Sequence, residues 1–221
     1  ESPGMNFEQA RSNMVEQQIR TWEVLDQTVL DLLLVVKREA FVPPAYKELA
    51  FADVEIPLGH GAAMLEPKIE ARVLQALQLK KTDKVLEIGS GSGYMTALLA
   101  AQAKHVDSVE IVPQLADMAR ANLQLAGITN VSIEAGDGAH GWSAHAPYDA
   151  IFISASTPVL PEEFLHQLKP GGRLVAFVGE SPVVEAQLIT RNAGEIFETA
   201  NLFETDVAPL TNARQPQRFV F

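Results

Sequence analysis

The 221-residue chain contains no cysteine. That excludes disulfides, thiolate metal sites and a cysteine nucleophile, and it fits a reducing compartment. Basic residues are scarce: 17 Lys and Arg stand against 28 Asp and Glu, a formal net charge of −11. No basic run breaks that balance, so no nucleic-acid partner is expected. No apolar stretch reaches the ~18 residues that span a bilayer, and no charged-then-apolar leader pattern opens the chain. These absences predict a soluble, cytoplasmic protein, monomeric or homodimeric, with no membrane partner.

What is present is apolar and periodic. A hydrophobic fraction of 47% is ample for one large α/β unit with an appendage. Residues 1–4 (Glu1-Ser2-Pro3-Gly4) read as a tag remnant, residues 5–79 as a helical extension with a substrate loop, and 80–221 as an α/β cofactor domain continuous with it. In the extension, Asn6 and Asp26 are expected N-caps of two amphipathic helices, the first running through Ile19, and a third carries Ile69, Val73, Leu74 and Leu77 on one face. From Lys84 onward strands and helices alternate. Strands are expected at 84–88, 106–110, 131–133, 148–153 and 173–178, with helices near 94–103, 113–126 and 161–168. Segments 184–190 and 196–203 add two strands joined at Asn192-Ala193-Gly194. This pattern predicts a doubly wound, mostly parallel seven-stranded sheet.

The run Val85-Leu86-Glu87-Ile88-Gly89-Ser90-Gly91-Ser92-Gly93-Tyr94 passes from a buried strand through glycines into a helix. Such a turn lets the backbone approach a ligand and presents free helix N–H groups to it. Glu110 stands about 20 positions on, at the tip of the next strand, where a carboxylate can accept both ribose hydroxyls. Asp137, within Gly136-Asp137-Gly138 at the third strand end, is placed to accept from an adenine amino group, with Gly138 leaving room for the ring. A turn role, with the Asp137 side chain bonded to its own backbone, is the competing reading. A dinucleotide site requires G-x-G-x-x-G. Here Gly89, Gly91 and Gly93 are followed by bulky Tyr94, which disfavours a dehydrogenase. The spacing is instead similar to the E-x-G-x-G-x-G loop of class I S-adenosylmethionine-dependent methyltransferases.

Further segments carry a closer resemblance. Met14-Val15-Glu16-Gln17-Gln18-Ile19-Arg20, Phe41-Val42-Pro43, Ala50-Phe51-Ala52-Asp53, Pro57-Leu58-Gly59-His60-Gly61, Ala146-Pro147-Tyr148-Asp149 and Leu168-Lys169-Pro170-Gly171-Gly172 resemble protein-L-isoaspartate O-methyltransferases. The resemblance runs in order from Asn6 to Thr211. It implies a Rossmann-like class I methyltransferase fold and a repair activity that methylates isoaspartyl carboxylates of damaged proteins. S-adenosyl-L-methionine is the implied donor and S-adenosyl-L-homocysteine the product. The cofactor residues so indicated are Glu87, Gly89, Ser90, Gly91, Gly93, Glu110, Ile111, Asp137, Gly138, Thr211 and Gln215.

One loop departs from that family. Where the family reads G-x-G-Q-T-I-S-x-P, this chain reads Gly59-His60-Gly61-Ala62-Ala63-Met64-Leu65-Glu66-Pro67. Leu65 replaces the active-site serine, Ala62 and Ala63 replace Gln and Thr, and Met64 completes an apolar acceptor wall. The chain is thus expected to bind the cofactor and to methylate an isoaspartyl protein or peptide poorly, or to serve a smaller, more apolar acceptor. Cofactor binding without catalysis is the rival reading. His60 reads as a loop residue. His105, His140, His145 and His166 are too scattered along the sequence to predict a metal. Trp22 and Trp142 are expected to pack in the core or an interface.

Overall fold

The computed structural model describes residues 4–217 and 219–220, so Glu1, Ser2 and Pro3 of the expected tag remnant lie outside the described residues. Helix α1 (Phe7–Met14) starts where the Asn6 side chain accepts the Gln9 N–H. It does not run unbroken to Ile19: a π turn (Val15–Ile19) and a 3₁₀ turn (Arg20–Trp22) follow. The widened turns keep Met14, Val15 and Ile19 all buried. Helix α2 (Gln27–Val35) is capped by Asp26, whose carboxylate accepts the Thr28 N–H.

Segment 58–67, read from sequence as a loop, is largely taken up by a hairpin of β1 (Ile56–Gly59) and β2 (Ala62–Met64). His60 and Gly61 make its two-residue turn with φ of 56° and 75°, the left-handed pair that matches the twist of adjoining strands. The short strands and the run of small residues hide the period-2 signal. Helix α3 (Pro67–Leu77) follows at once.

The main sheet has the order β5-β4-β3-β6-β7-β8-β9. Its strands are β3 (Lys84–Ile88), β4 (His105–Glu110), β5 (Val131–Ala135), β6 (Tyr148–Thr157), β7 (Leu168–Glu180), β8 (Val183–Arg191) and β9 (Phe197–Thr205). Strands β3 to β7 pair in parallel, while β7–β8 and β8–β9 are antiparallel. Strands β6 and β7 outrun their expected lengths because each continues past an irregularity in register. Helices α4 (Tyr94–Gln102), α5 (Pro113–Leu125) and α6 (Glu162–His166) form the connections.

Side-chain alternation divides the core between the two sheet faces. Val85, Val106, Phe152, Val175 and Phe177 join the N-terminal helices, α3 and α4 in one cluster. Leu86, Ile88, Val109, Ile151 and Leu174 form the other, with Phe164 of α6. Residues Tyr94 to Ala100 of α4 are buried without exception, as expected for a helix apolar all round. Trp22 packs edge-on to Phe203 at 4.6 Å and so serves the core. Among the described residues, no helix is long and apolar enough to cross a membrane.

Candidate active site

Strand order reverses at β3, which has β4 on one side and β6 on the other. A crevice therefore opens beyond the carboxyl ends of these strands. It encloses about 990 Å³, open to solvent, between the glycine turn, the β1–β2 hairpin, the end of β6 and segment 208–211. A narrower slot of about 260 Å³ continues from it, lined by Ile88, Gly136, Asp137, Gly138 and Ala139. Gly89, Glu110, Ile111 and Thr211 line both.

Each wall has a physical cause. At Gly89 the backbone takes φ +94°, and a Cβ there would come within 2.2 Å of Ser154 Oγ. That hydroxyl donates to the Ile88 carbonyl at 2.8 Å and ties the end of β6 to the turn. Glu110 Oε1 accepts the Gly91 N–H at 2.9 Å, and Oε2 accepts the Val112 N–H at 3.0 Å. Each oxygen keeps a second lone pair, so the carboxylate is fixed in place yet able to accept a diol. Segment 208–211 is drawn in by two backbone bonds, Ser156 N–H to the Ala208 carbonyl and Leu210 N–H to the Ser156 carbonyl. These bonds bring Thr211 to the crevice.

Asp137 makes the turn bond weighed against its ligand role: Oδ1 accepts the Ala139 N–H at 3.0 Å, while Oδ2 accepts Asn212 Nδ2 at 2.9 Å. Gly138 is required for a nearer reason than ring space, since a Cβ would meet Ile88 Cδ1 at 2.6 Å. Gln215 is exposed, donates to the Ala213 carbonyl and lines neither cavity; the chain turns back at Thr211 and Asn212 before reaching it. Gly93 caps α4 from outside the lining, packed on Ala119.

Glu87 sits beneath the glycine turn, fully buried. Its Oε1 accepts from Thr96 Oγ1 at 2.5 Å and Ser108 Oγ at 2.7 Å, whereas Oε2 has no partner among the described residues. Burial pushes its carboxyl up to about 8, against the lowering effect of the two hydroxyls. With its carboxyl raised in this way, its two bonds tie α4 to β4 beneath the turn.

The other half of the crevice is apolar. Ala62, Ala63, Met64 and Leu65 line it, facing Tyr94, Met95 and Phe152. Sequence reasoning did not single out what holds this loop: Arg38, 0% exposed, donates from Nη1 to Glu70 Oε1 at 2.5 Å and from Nη2 to the Leu65 carbonyl at 3.0 Å. Its guanidinium lies 4.7 Å from the Tyr94 ring centroid. Burial raises the Glu70 carboxyl, and Arg38 offsets part of that rise. Arg38 and Glu70 lie 32 positions apart, so no local pattern marks the pair. Glu70 also lines the crevice, with Glu55, His60 and Glu110.

A doubly wound sheet with this strand order, a glycine turn after β3 and a carboxylate ending β4 defines a class I S-adenosylmethionine-dependent methyltransferase. Residues 9–215 match the family described as Protein-L-isoaspartate(D-aspartate) O-methyltransferase (PCMT). The chain is 40% identical over 200 residues to a protein-L-isoaspartate O-methyltransferase of Methanoculleus marisnigri, covering 90% of each. A solved protein-L-isoaspartate O-methyltransferase aligns with a TM-score of 0.76 and 26% identity, over 90% of this chain and 65% of that one. A Plasmodium falciparum crystal structure, described as a beta-aspartate methyltransferase in complex with S-adenosyl-L-homocysteine, shares the fold with a TM-score of 0.77. It is 22% identical, covering 94% of this chain and 99% of that one. The chain belongs to the protein-L-isoaspartate O-methyltransferase family and is an S-adenosylmethionine-dependent O-methyltransferase.

Proposed function

We propose that the chain methylates the free α-carboxylate of isoaspartyl residues in proteins, at a rate held down by an acceptor wall, residues 62–65, without side-chain donors. The observation that carries this reading is one continuous crevice joining the glycine turn and Glu110 to residues 62–65. The residues fit the cofactor, because Glu110 keeps free lone pairs at the junction of the crevice and the slot, and Asp137 and Gly138 line that slot. Asp137 and Gly138 would border the adenine, Glu110 would accept the ribose hydroxyls, and Gly89, Ser90 and Gly91 would face the amino-acid end. When bound, the cofactor supplies an electrophilic methyl group on a positively charged sulfur.

An isoaspartyl carboxylate is ionised at neutral pH, so the protein has to align it rather than deprotonate it. Main-chain groups of the β1–β2 hairpin are left to do so, with His60 at its turn and the hydroxyls of Ser90, Ser92 and Thr211 elsewhere in the lining. Each missing hydrogen bond to a charged acceptor removes ~1.5–3 kcal/mol. The lining favours a second reading, an uncharged acceptor: its ionisable groups near the hairpin are Glu55, His60 and Glu70. A carboxylate there gives up hydration without gaining a lysine or arginine in the lining.

Transfer of labelled methyl from S-adenosylmethionine to an isoaspartyl peptide, its aspartyl isomer and a panel of uncharged acceptors tests both readings. Slow turnover confined to the isoaspartyl peptide is the expected result. Turnover only on uncharged acceptors selects the second reading. Tight cofactor binding without transfer to any acceptor overturns both.

A further inference from the structure

The sheet face that carries Val109 and Tyr148 holds a second polar cluster, separate from the crevice. Asp107 of β4, Glu134 of β5 and His145 of the turn 143–145 each bring one ligand-type atom to within 4.8 Å of the others. His145 Nε2 lies 2.7 Å from Glu134 Oε1, and Trp142 Nε1 donates to Glu134 Oε2 at 3.2 Å, orienting that carboxylate. Asp107 is 4% exposed. Its recorded polar contact among the described residues is His105 Nε2 at 3.4 Å, a nitrogen shared with Ser132 Oγ at 3.0 Å.

The ammonium of Lys84, on the neighbouring strand β3, is already occupied. Lys84 donates to the His145 carbonyl, and its ammonium stands 5.4 Å from the Tyr148 ring centroid. Burial first, then the nearby Asp107 and Glu134, raise the Tyr148 phenol, in keeping with two carboxylates that share one face without a cation between them.

We propose that Asp107, Glu134 and His145 bind a divalent transition-metal ion, with water completing its coordination. One imidazole with two carboxylates forms a mixed nitrogen and oxygen set that suits zinc(II) better than magnesium or calcium. Bonds of ~2.0–2.2 Å need the donor atoms roughly 3.4 Å apart. The His145 side chain is 42% exposed and can close that gap by rotation, losing its hydrogen bond to Glu134 as the metal replaces the proton. Trp142 and Glu134 then support the site as an oriented donor and a ligand. The same indole lies against Gly136, where a Cβ would come within 2.7 Å of the ring. Metal binding would therefore fix the segment that leads to Asp137 and Gly138.

Calorimetric titration of the chelator-stripped full chain with zinc chloride tests the site. One equivalent should bind. His145→Ala, which alters an exposed side chain and leaves the fold intact, should weaken binding at least tenfold, as should Glu134→Gln. His166→Ala, distant on α6, should bind as the unaltered chain does, and saturating zinc should raise the melting midpoint of the unaltered chain but not of His145→Ala. Equal affinity in His145→Ala, equal weakening by His166→Ala, or only weak binding at several equivalents would overturn the proposal.

Discussion

The half of the crevice proposed to hold S-adenosylmethionine and the half proposed to receive the methyl acceptor are built from opposite materials. The first consists of backbone amides and carboxylates held by them: Glu110 on the Gly91 and Val112 N–H groups, Asp137 on the Ala139 N–H. The second consists of Ala62, Ala63, Met64 and Leu65 side chains over a buried Arg38–Glu70 pair. A cofactor of fixed shape rewards a rigid polar cradle. Acceptor chemistry, on the proposed reading, is set in contrast by a few side chains on a short hairpin, and here those side chains are apolar.

The largest effect should come from breaking what supports the acceptor half. Arg38→Ala leaves Glu70 buried without its cation, which costs on the order of 3–5 kcal/mol. Thermal unfolding should show a fall of many degrees. Arg38→Met with Glu70→Leu, which removes both charges, should recover most of it. If the single variant melts like the unaltered chain, the ion pair does not hold the hairpin.

A smaller effect sharpens the contrast between the halves. Ala63→Thr with Leu65→Ser restores two hydroxyl donors to the acceptor wall and should raise kcat/KM on an isoaspartyl peptide by about tenfold or more, the equivalent of one hydrogen bond to a charged group. The dissociation constant for S-adenosylmethionine should stay unchanged. A change in cofactor affinity with no gain in turnover would mean that the two halves are not separable.

The smallest expected change lies beneath the cofactor half and depends on pH. The Glu87 carboxyl is raised from 4.5 to about 8 in the fold, so the stability that goes with its neutral form is complete below about 4.5 and is lost as pH rises through about 8. Glu87→Gln removes that titration. At pH values above 8 the variant should be more stable by at least ~1 kcal/mol, about 2–4 °C in melting midpoint for a chain of this size, and the two should converge in acid. A variant with an unchanged pH profile would show that Glu87 is ionised in the fold.

The same contrast decides what could be read from sequence. Glu110, Gly89 and the Gly136-Asp137-Gly138 turn carry local signals, because strand ends and glycine spacing mark them directly. The seven strands and their hairpin at Asn192-Ala193-Gly194 were legible for the same reason. Arg38 on Leu65, or His145 on Glu134 and Asp107, are meetings across the fold that no spacing announces. Thr211 reaches the crevice only through the bonds of Ser156 to Ala208 and Leu210, whereas Gln215, close to it in sequence, does not. The β1–β2 hairpin escaped notice because its strands are too short to show alternation and its turn begins with histidine rather than the usual Asn or Gly.

Arg38 grips the Leu65 carbonyl, a group that every amino acid at that position provides. Such a handle is indifferent to side-chain identity. Residues 62–65 can exchange chemistry while their main chain stays anchored, so new acceptor preferences can be sampled through point substitutions without first remaking the scaffold. A hairpin held in this way is a place where a repair enzyme can drift toward a different task and keep its donor site intact throughout.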